Sequence, residues 1–274
     1  MKKIIVMGAS SGIGYRVAEA LASCGVRIGV AARHTAPLEE LASKYPGMVE
    51  YASIDITKPE AVGQLGELAG RLGGMDIYIH VAGIGYENLD LDPEREVRIV
   101  ETNAGGFARM LSAAYRWMRD NDVRGRIAAV TSVAGTKGMG RLSAYSSSKR
   151  FAQTYITALE QLSVAEKSGI RFTDIRPGWI KTPLLLDGHK YPMEMTLDYA
   201  LPIILRAIAK GERVAYIDWR WGLLAAAWSR IPDPVWVRMN PPVSTPEQPL
   251  PTRASELVTE AEEKESAKIE PAKE

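Results

Sequence analysis

The chain has 274 residues, 46% of them apolar and 24% charged, and its formal net charge is +1. That is the composition of a soluble globular protein with room for one large domain or two small ones, and it gives no global electrostatic reason to bind nucleic acid. No apolar run reaches the ~18 residues of a membrane span, and Ile4–Met7 behind Met1-Lys2-Lys3 is too short for the apolar core of a signal peptide. A single cysteine, Cys24, can form no internal disulfide, so a reducing cytosol is the expected compartment. Its place in the pattern Val17, Leu21, Cys24 predicts a small core residue.

Taken in order, Lys3–Met7 predicts a buried strand and Gly12–Ser23 a helix with Ile13, Val17, Ala20 and Leu21 on one face. Val26–Ala32 predicts the next strand and Pro37–Lys44 a short helix. Strands follow at Val49–Ile54, Ile77–Val81, Arg126–Thr131 and Ile170–Ile175, separated by helices at Pro59–Leu72, about Glu94–Asp120 and about Ser143–Ser168. A helix near Leu197–Lys210 leads to a seventh strand at Arg213–Ile217. Near-continuous hydrophobic strands alternating with helices predict an α/β, Rossmann-type doubly wound parallel sheet of about seven strands with helices on both faces. In such a sheet a ligand sits at the carboxyl ends of the strands, at the switch point. From Ile231 on, the density of proline predicts no regular structure. The stretch 241–274 carries eight acids against four bases and reads as a solvated, disordered tail.

The first strand runs into Gly8-Ala9-Ser10-Ser11-Gly12-Ile13-Gly14. Gly8 permits the tight turn, Gly12 lets backbone N–H groups approach a pyrophosphate, and Gly14 lets the helix pack close to the sheet. The helix N-terminus adds unpaired N–H donors and partial positive charge. An NAD-preferring site places a carboxylate at the end of the second strand, but here that strand ends Ala31-Ala32-Arg33-His34. Arg33 suits a 2′-phosphate, so the expected cofactor is NADP(H). His34 reads as a surface neighbour.

Tyr145 and Lys149 are one helical turn apart, and Ser132 precedes Tyr145 by 13 residues. A phenol has an ordinary pKa near ~10, and an adjacent ammonium favours phenolate, so Lys149 is expected to lower the Tyr145 pKa. Ser132 could hold a carbonyl oxygen beside the phenol.

In order and spacing these pieces resemble the short-chain dehydrogenase/reductase superfamily over about residues 1–218. The matching segments are the glycine turn, Asp55-Ile56, Ala82-Gly83, Asn103, Ser132, Tyr145-Ser146-Ser147-Ser148-Lys149 and Arg176-Pro177-Gly178-Trp179-Ile180-Lys181-Thr182. The resemblance implies Tyr145 as general acid/base, Lys149 also holding the nicotinamide ribose, Ser132 orienting the carbonyl and Asn103 anchoring a relay water. It implies Asp55, with Ile56 beside it, at the adenine. Ala82-Gly83 would lie against the nucleotide, and Thr182 with Pro177, Gly178 and Ile180 would seat the nicotinamide. It also implies a homodimer or homotetramer through the helices around Asn103–Asp120 and Ser143–Ser168. No metal is assigned. Two departures stand out. His80-Val81 replaces the family's Asn-Asn, so His80 is expected to substitute as a buried, hydrogen-bonded residue. Ser11 stands where many NADP-preferring relatives carry a basic residue, which leaves Arg33, helped by Ser10, to read the phosphate.

The expected substrate lid, 183–201, holds Leu184, Leu185, Leu186, Tyr191, Met193, Met195 and Leu197, an adaptable apolar surface. It favours a lipophilic ketone or secondary alcohol: a 3-keto lipid such as a ketosphinganine or 3-oxoacyl compound, or a steroid. Residues 219–240 form an extension in which Trp219, Arg220, Trp221, Trp228 and Arg230 flank a Leu/Ala run. It reads as a pocket cover, a subunit contact, or a peripheral membrane contact through 219–237. The alternative to an enzyme is a catalytically idle nucleotide-binding regulator, against which the intact Asn103, Ser132, Tyr145 and Lys149 argue.

Overall fold

The computed structural model describes residues 2–182 and 191–239. The first eight residues of the expected lid and the whole of the expected tail lie outside them. Seven strands form one sheet: β1 (Ile4–Met7), β2 (Ile28–Ala32), β3 (Val49–Ser53), β4 (Ile77–His80), β5 (Arg126–Val130), β6 (Arg171–Pro177) and β7 (Val214–Ile217). Their order is 3-2-1-4-5-6-7, and every neighbouring pair is parallel. The order reverses between β1 and β4, which is the switch point where a crevice opens above the strand ends.

Alternation along each strand divides the core in two. Ile5 and Met7 of β1 face helices α3 (Ala61–Leu72), α5 (Phe107–Asp120) and α6 (Ser143–Glu166), packing with Leu68, Met110 and Ile156. Ile4 and Val6 face α1 (Gly12–Ser23), α2 (Ala36–Lys44) and α7 (Leu197–Lys210), packing with Val17, Leu38 and Ile204. Burying one such aliphatic side chain contributes about 1.5–3 kcal/mol. Helices on both faces are the reason the strands read as unbroken hydrophobic runs rather than alternating ones.

Four local expectations are corrected. Cys24 is exposed, because α1 ends at Ser23 and the cysteine becomes its C-cap. The single helix expected over Glu94–Asp120 is instead α4 (Pro93–Val100), a π-helical segment Glu101–Gly106, and α5. Gly106 lies against Ile56 there: a Cβ on it would come within 2.8 Å of the Ile56 side chain, so this glycine serves a close crossing that the apolar pattern cannot reveal. Past Ile231 the chain is not wholly irregular, since α9 (Asp233–Trp236) forms after Pro232 with Pro234 in its first turn, where proline lacks no needed donor. The fourth concerns the acidity of Tyr145 and is described with the site.

His80, at the end of β4, is fully buried, with Nδ1 2.9 Å from the Tyr78 hydroxyl and the edge of Phe107 against its ring. It is the buried, hydrogen-bonded substitute expected for asparagine. Burial, with the nearby Lys149 charge, lowers its pKa to about 3. The unfolded chain therefore takes up this proton first, near pH ~6.5. Stability held by the neutral ring is complete above that pH and is lost as pH falls toward 3, at up to about 1.4 kcal/mol per unit. His80→Asn should flatten the acid limb of a urea-unfolding series run from pH 7 to 4. Equal slopes for the two proteins would show that His80 does not titrate on unfolding.

Candidate active site

The crevice at the switch point is a cavity of about 620 Å³ that runs from the β2 end, past the glycine turn, to a tryptophan-walled far end. Gly8 has φ +90°, and a Cβ there would stand 2.4 Å from the Ala82 nitrogen. The turn after β1 can therefore press against the turn after β4 only with glycine at this position. A Cβ at Gly14 would stand 2.1 Å from the Gly8 carbonyl oxygen, so Gly14 seats α1 on the turn and does not line the cavity. Gly8, Ser10, Ser11, Gly12 and Ile13 do line it, where the first N–H groups of α1 have no helical acceptors. Ser11, at the N-cap, makes no side-chain cap bond. This is a cradle shaped for a phosphate.

At one end Arg33 and His34, both exposed, line the cavity beside Asp55 and Ile56. Asp55 Oδ1 accepts hydrogen bonds from the Thr57 backbone N–H and hydroxyl, at 2.9 and 2.8 Å. Burial pushes its carboxyl up, but the Thr57 bonds and the Arg33 and Lys58 charges outweigh this and hold it below the usual value. Ala82, Gly83, Pro177, Gly178, Ile180 and Thr182 line the middle and far parts. The indole of Trp221 lies flat on Gly178, where a Cβ would approach it to 2.0 Å.

Ser132, Tyr145 and Lys149 also line the cavity. Ser132 leaves the end of β5 as N-cap of a 3-10 turn, Val133–Thr136, its Oγ accepting from the Ala134 N–H at 3.1 Å. Tyr145 and Lys149 come from the first two turns of α6, with the ammonium 5.6 Å from the phenol ring centre and its Nζ donating to the Val130 carbonyl at 3.2 Å. Burial lowers the Lys149 pKa to about 8, partly opposed by the Asp174 charge. Tyr145 differs from the expectation: burial raises its pKa, and the hydrogen bond with Ser132 only partly opposes this. The spacing alone shows the ammonium beside the phenol but not the protein packed around both.

Asn103 sits in the π-helical segment, a backbone feature frequent at functional sites, but its side chain does not line the cavity. Its Oδ1 accepts from the Ile84 N–H at 2.9 Å, and its Nδ2 donates to the Ile84 carbonyl at 2.7 Å and the Ser148 hydroxyl at 3.2 Å. It thus ties the end of β4 to α6, within contact range of the space over Gly83 that Lys149 also borders.

Sequence reasoning missed two groups. Met139 and Leu142 are the first: they wall the far end with Trp179, Met193 and, from the extension read as a possible pocket cover, Trp221, Leu224 and Trp228. The wall comes from four separate segments, so no local spacing shows that they meet. Gln153 is the second: it is buried, and its Nε2 donates to the Ser132 carbonyl at 2.8 Å. Its signal was available, since it continues the Tyr145, Lys149 series by one more step of four.

A profile of the family described as short chain dehydrogenase matches residues 2–189. An uncharacterized oxidoreductase of Myxococcus xanthus is 32% identical over 241 residues, covering 85% of this chain and 93% of its own. Among solved structures, a variant of an actinorhodin polyketide ketoreductase with NADPH superposes with a TM-score of 0.61 at 26% identity, covering 67% of this chain and 72% of its own. An alcohol dehydrogenase from the archaeon Thermococcus sibiricus, complexed with 5-hydroxy-NADP, gives 0.67 at 26% identity, covering 79% and 94%. With the parallel seven-stranded sheet, the glycine cradle and the serine, tyrosine and lysine gathered at one cavity, the chain belongs to the short-chain dehydrogenase/reductase family of oxidoreductases.

Proposed function

We propose that the protein is an NADP(H)-dependent reductase of a lipophilic ketone, interconverting it with the secondary alcohol. The observation that carries the reading is the junction of two unlike halves in one cavity: a phosphate cradle with Arg33 at one end and a tryptophan, leucine and methionine wall at the other, with Ser132, Tyr145 and Lys149 between. The cradle fits the cofactor, because Gly8 lets the turn close against Ala82 and the first residues of α1, whose N–H groups lack helical acceptors, line the cavity. Ser10, Ser11, Gly12 and Ile13 would hold the pyrophosphate, Asp55 and Ile56 the adenine, Lys149 the nicotinamide ribose, and Pro177, Gly178, Ile180 and Thr182 the nicotinamide. Ala82 and Gly83 would form the wall beneath it.

When bound, the nicotinamide supplies hydride to the substrate carbon. The chain's own residues manage the oxygen. Burial keeps the Tyr145 phenol protonated at neutral pH, so its Oη is an acid able to give a proton to the carbonyl oxygen. The Ser132 hydroxyl donates a hydrogen bond to that same oxygen and fixes its direction. Lys149 places a positive charge beside the phenolate left behind, and Asn103 holds the strand end over which a relay water would sit. The apolar wall excludes water from the reacting carbon and favours an acyl chain or ring system over a polyol. A 3-keto lipid, a 3-oxoacyl compound or a steroid meets these demands. Kinship with a ketoreductase solved with NADPH supports the ketone and the cofactor. An idle regulator on this fold would have no use for a buried acid aligned with a serine.

The same proposal includes a homodimer or homotetramer through the helices around Asn103–Asp120 and Ser143–Ser168, where Phe151, Leu162 and Val164 of α6 offer exposed apolar side chains. It further places the enzyme in the cytoplasm, in peripheral contact with a membrane through 219–237. Helix α8 (Trp219–Arg230) has two apolar sides: Trp221, Leu224 and Trp228 line the cavity, whereas Trp219 and Leu223 are 70% and 62% exposed on the other. Val235 and Val237 are also exposed, and Arg230 and Arg238 in the same stretch of chain bond only main-chain carbonyls among the described residues, leaving charge for anionic headgroups.

Two experiments test these readings. Absorbance at the reduced-nicotinamide band, read over lipophilic ketones and polyols, should show NADPH consumed with the former. Arg33→Ala should then weaken NADPH by about one to two decades, as loss of a charge-assisted contact implies, and NADH much less. Equal weakening of both cofactors would remove Arg33 from the 2′-phosphate. In flotation with anionic vesicles the intact chain should rise with the lipid and Trp219→Glu with Leu223→Glu should not. An intact chain that stays at the bottom refutes the membrane contact.

A further inference from the structure

Tyr145, Lys149 and Gln153 follow one another at four-residue steps on α6 and share a face of the helix. The first two line the cavity; Gln153 lies one turn behind them, buried, and points at the turn that carries Ser132. Its Nε2 donates to the Ser132 carbonyl at 2.8 Å, a carbonyl that also accepts from the Gly135 N–H at 3.2 Å. The turn lies directly on the amide: a Cβ at Gly135 would meet Gln153 Nε2 at 2.7 Å and the Lys149 main chain at 2.9 Å. The amide's other end is badly served. Gln153 Oε1 is buried with no hydrogen-bond partner among the described residues. A buried acceptor left unpaired is destabilising, and an unbranched apolar side chain of the same length would avoid that penalty. What glutamine provides and methionine would not is the bond donated to Ser132.

We infer that Gln153 is a positioning residue: its amide fixes the main chain at Ser132 to α6, so that the Ser132 hydroxyl and the Tyr145 phenol, carried by different elements, keep one distance from each other. The two hydroxyls must converge on a single substrate oxygen. Tyr145 is held by the helix, but Ser132 stands on a turn at a strand end, its hydroxyl shared among the Ala134 N–H at 3.1 Å, the Pro177 carbonyl at 3.5 Å and the Tyr145 phenol itself. Gln153 connects the two elements directly. The inference rests on the reductase reading above for its catalytic consequence, though not for its geometry.

The test is a double-mutant cycle with Ser132→Ala and Gln153→Met, the latter similar in length and lacking a donor. It is read by kcat, KM and the cofactor dissociation constant in the holoenzyme, and by 13Cζ-tyrosine NMR of the cofactor-free protein. Gln153→Met should lower kcat about tenfold or more, the scale of a misplaced reacting group, with cofactor affinity unchanged. On the Ser132→Ala background it should change nothing further, because the group it positions is gone. In the NMR titration, with the Tyr145 signal identified by its loss in Tyr145→Phe, both single variants should move the Tyr145 midpoint to higher pH, since burial raises it and the Ser132 bond opposes that rise. The double variant should move it no further. Should Gln153→Met fail to fold, Gln153→Glu serves: its carboxyl donates to the Ser132 carbonyl when protonated and cannot when ionised. Its kcat relative to wild type should therefore fall as pH rises. Unchanged kcat and an unmoved tyrosine signal in Gln153→Met, multiplicative losses in the double variant, or a flat relative kcat for Gln153→Glu would each overturn the inference. A wild-type chain that reduces no ketone yet shows the NMR shifts would overturn the reductase reading and leave the positioning intact.

Discussion

At the switch point the chain passes within van der Waals contact of itself, and everything in the crevice depends on that approach. The turn after β1 lies on the turn after β4 with no space between Gly8 and Ala82 for a side chain, and α1 starts from the Gly8 carbonyl with no space for one at Gly14. The adjoining strands β1 and β4 diverge in their connections, one toward α1 and the other toward α4 and α5, on the face that α6 also covers. The crevice between these connections is therefore dictated by strand order. The glycine turn and the unpaired N–H groups of α1 line one side, and Tyr145 and Lys149 of α6 the other. A side chain at Gly8 would force the two turns apart and separate the halves of the site.

Burial then sets the chemistry. Lys149 is buried and Tyr145 partly buried at the cavity wall, and each responds as low polarity demands: the ammonium loses affinity for its proton, to about 8, and the phenol holds its proton more tightly. The two shifts separate proton affinities that lie close together in water, so the ammonium gives up its proton before the phenol does. His80 belongs to the same environment. With Lys149 charged nearby, a neutral imidazole bonded to Tyr78 can occupy a place where a second positive charge could not.

Much of this was legible in the residues because the motifs are local. The glycine turn, the Tyr145–Lys149 step and the strand-end serine each depend on neighbours in sequence, and all seven strands emerge from short apolar runs. What was not legible depends on contacts between distant segments. The π-helical turn at Glu101–Gly106 answers to Ile56, about fifty residues earlier. Trp236 is buried with Ala134, Met139 and Leu142, and its Nε1 donates to the Gly138 carbonyl at 2.7 Å, which anchors the short helix the proline count had seemed to forbid. Cys24 misled for a simpler reason: helical periodicity was continued one residue past the helix end. The acidity of Tyr145 needed knowledge of enclosure, which spacing does not contain.

The proposed reaction makes Tyr145 the proton donor to a carbonyl in a site that binds its cofactor independently. It is tested by comparing NADPH binding, by quenching of the tryptophan fluorescence, with single-turnover ketone reduction in wild type and Tyr145→Phe. Binding should be unchanged within about threefold and reduction slowed by about 10²–10⁴-fold, the usual contribution of a positioned acid. Reduction at a near-normal rate in Tyr145→Phe would contradict it.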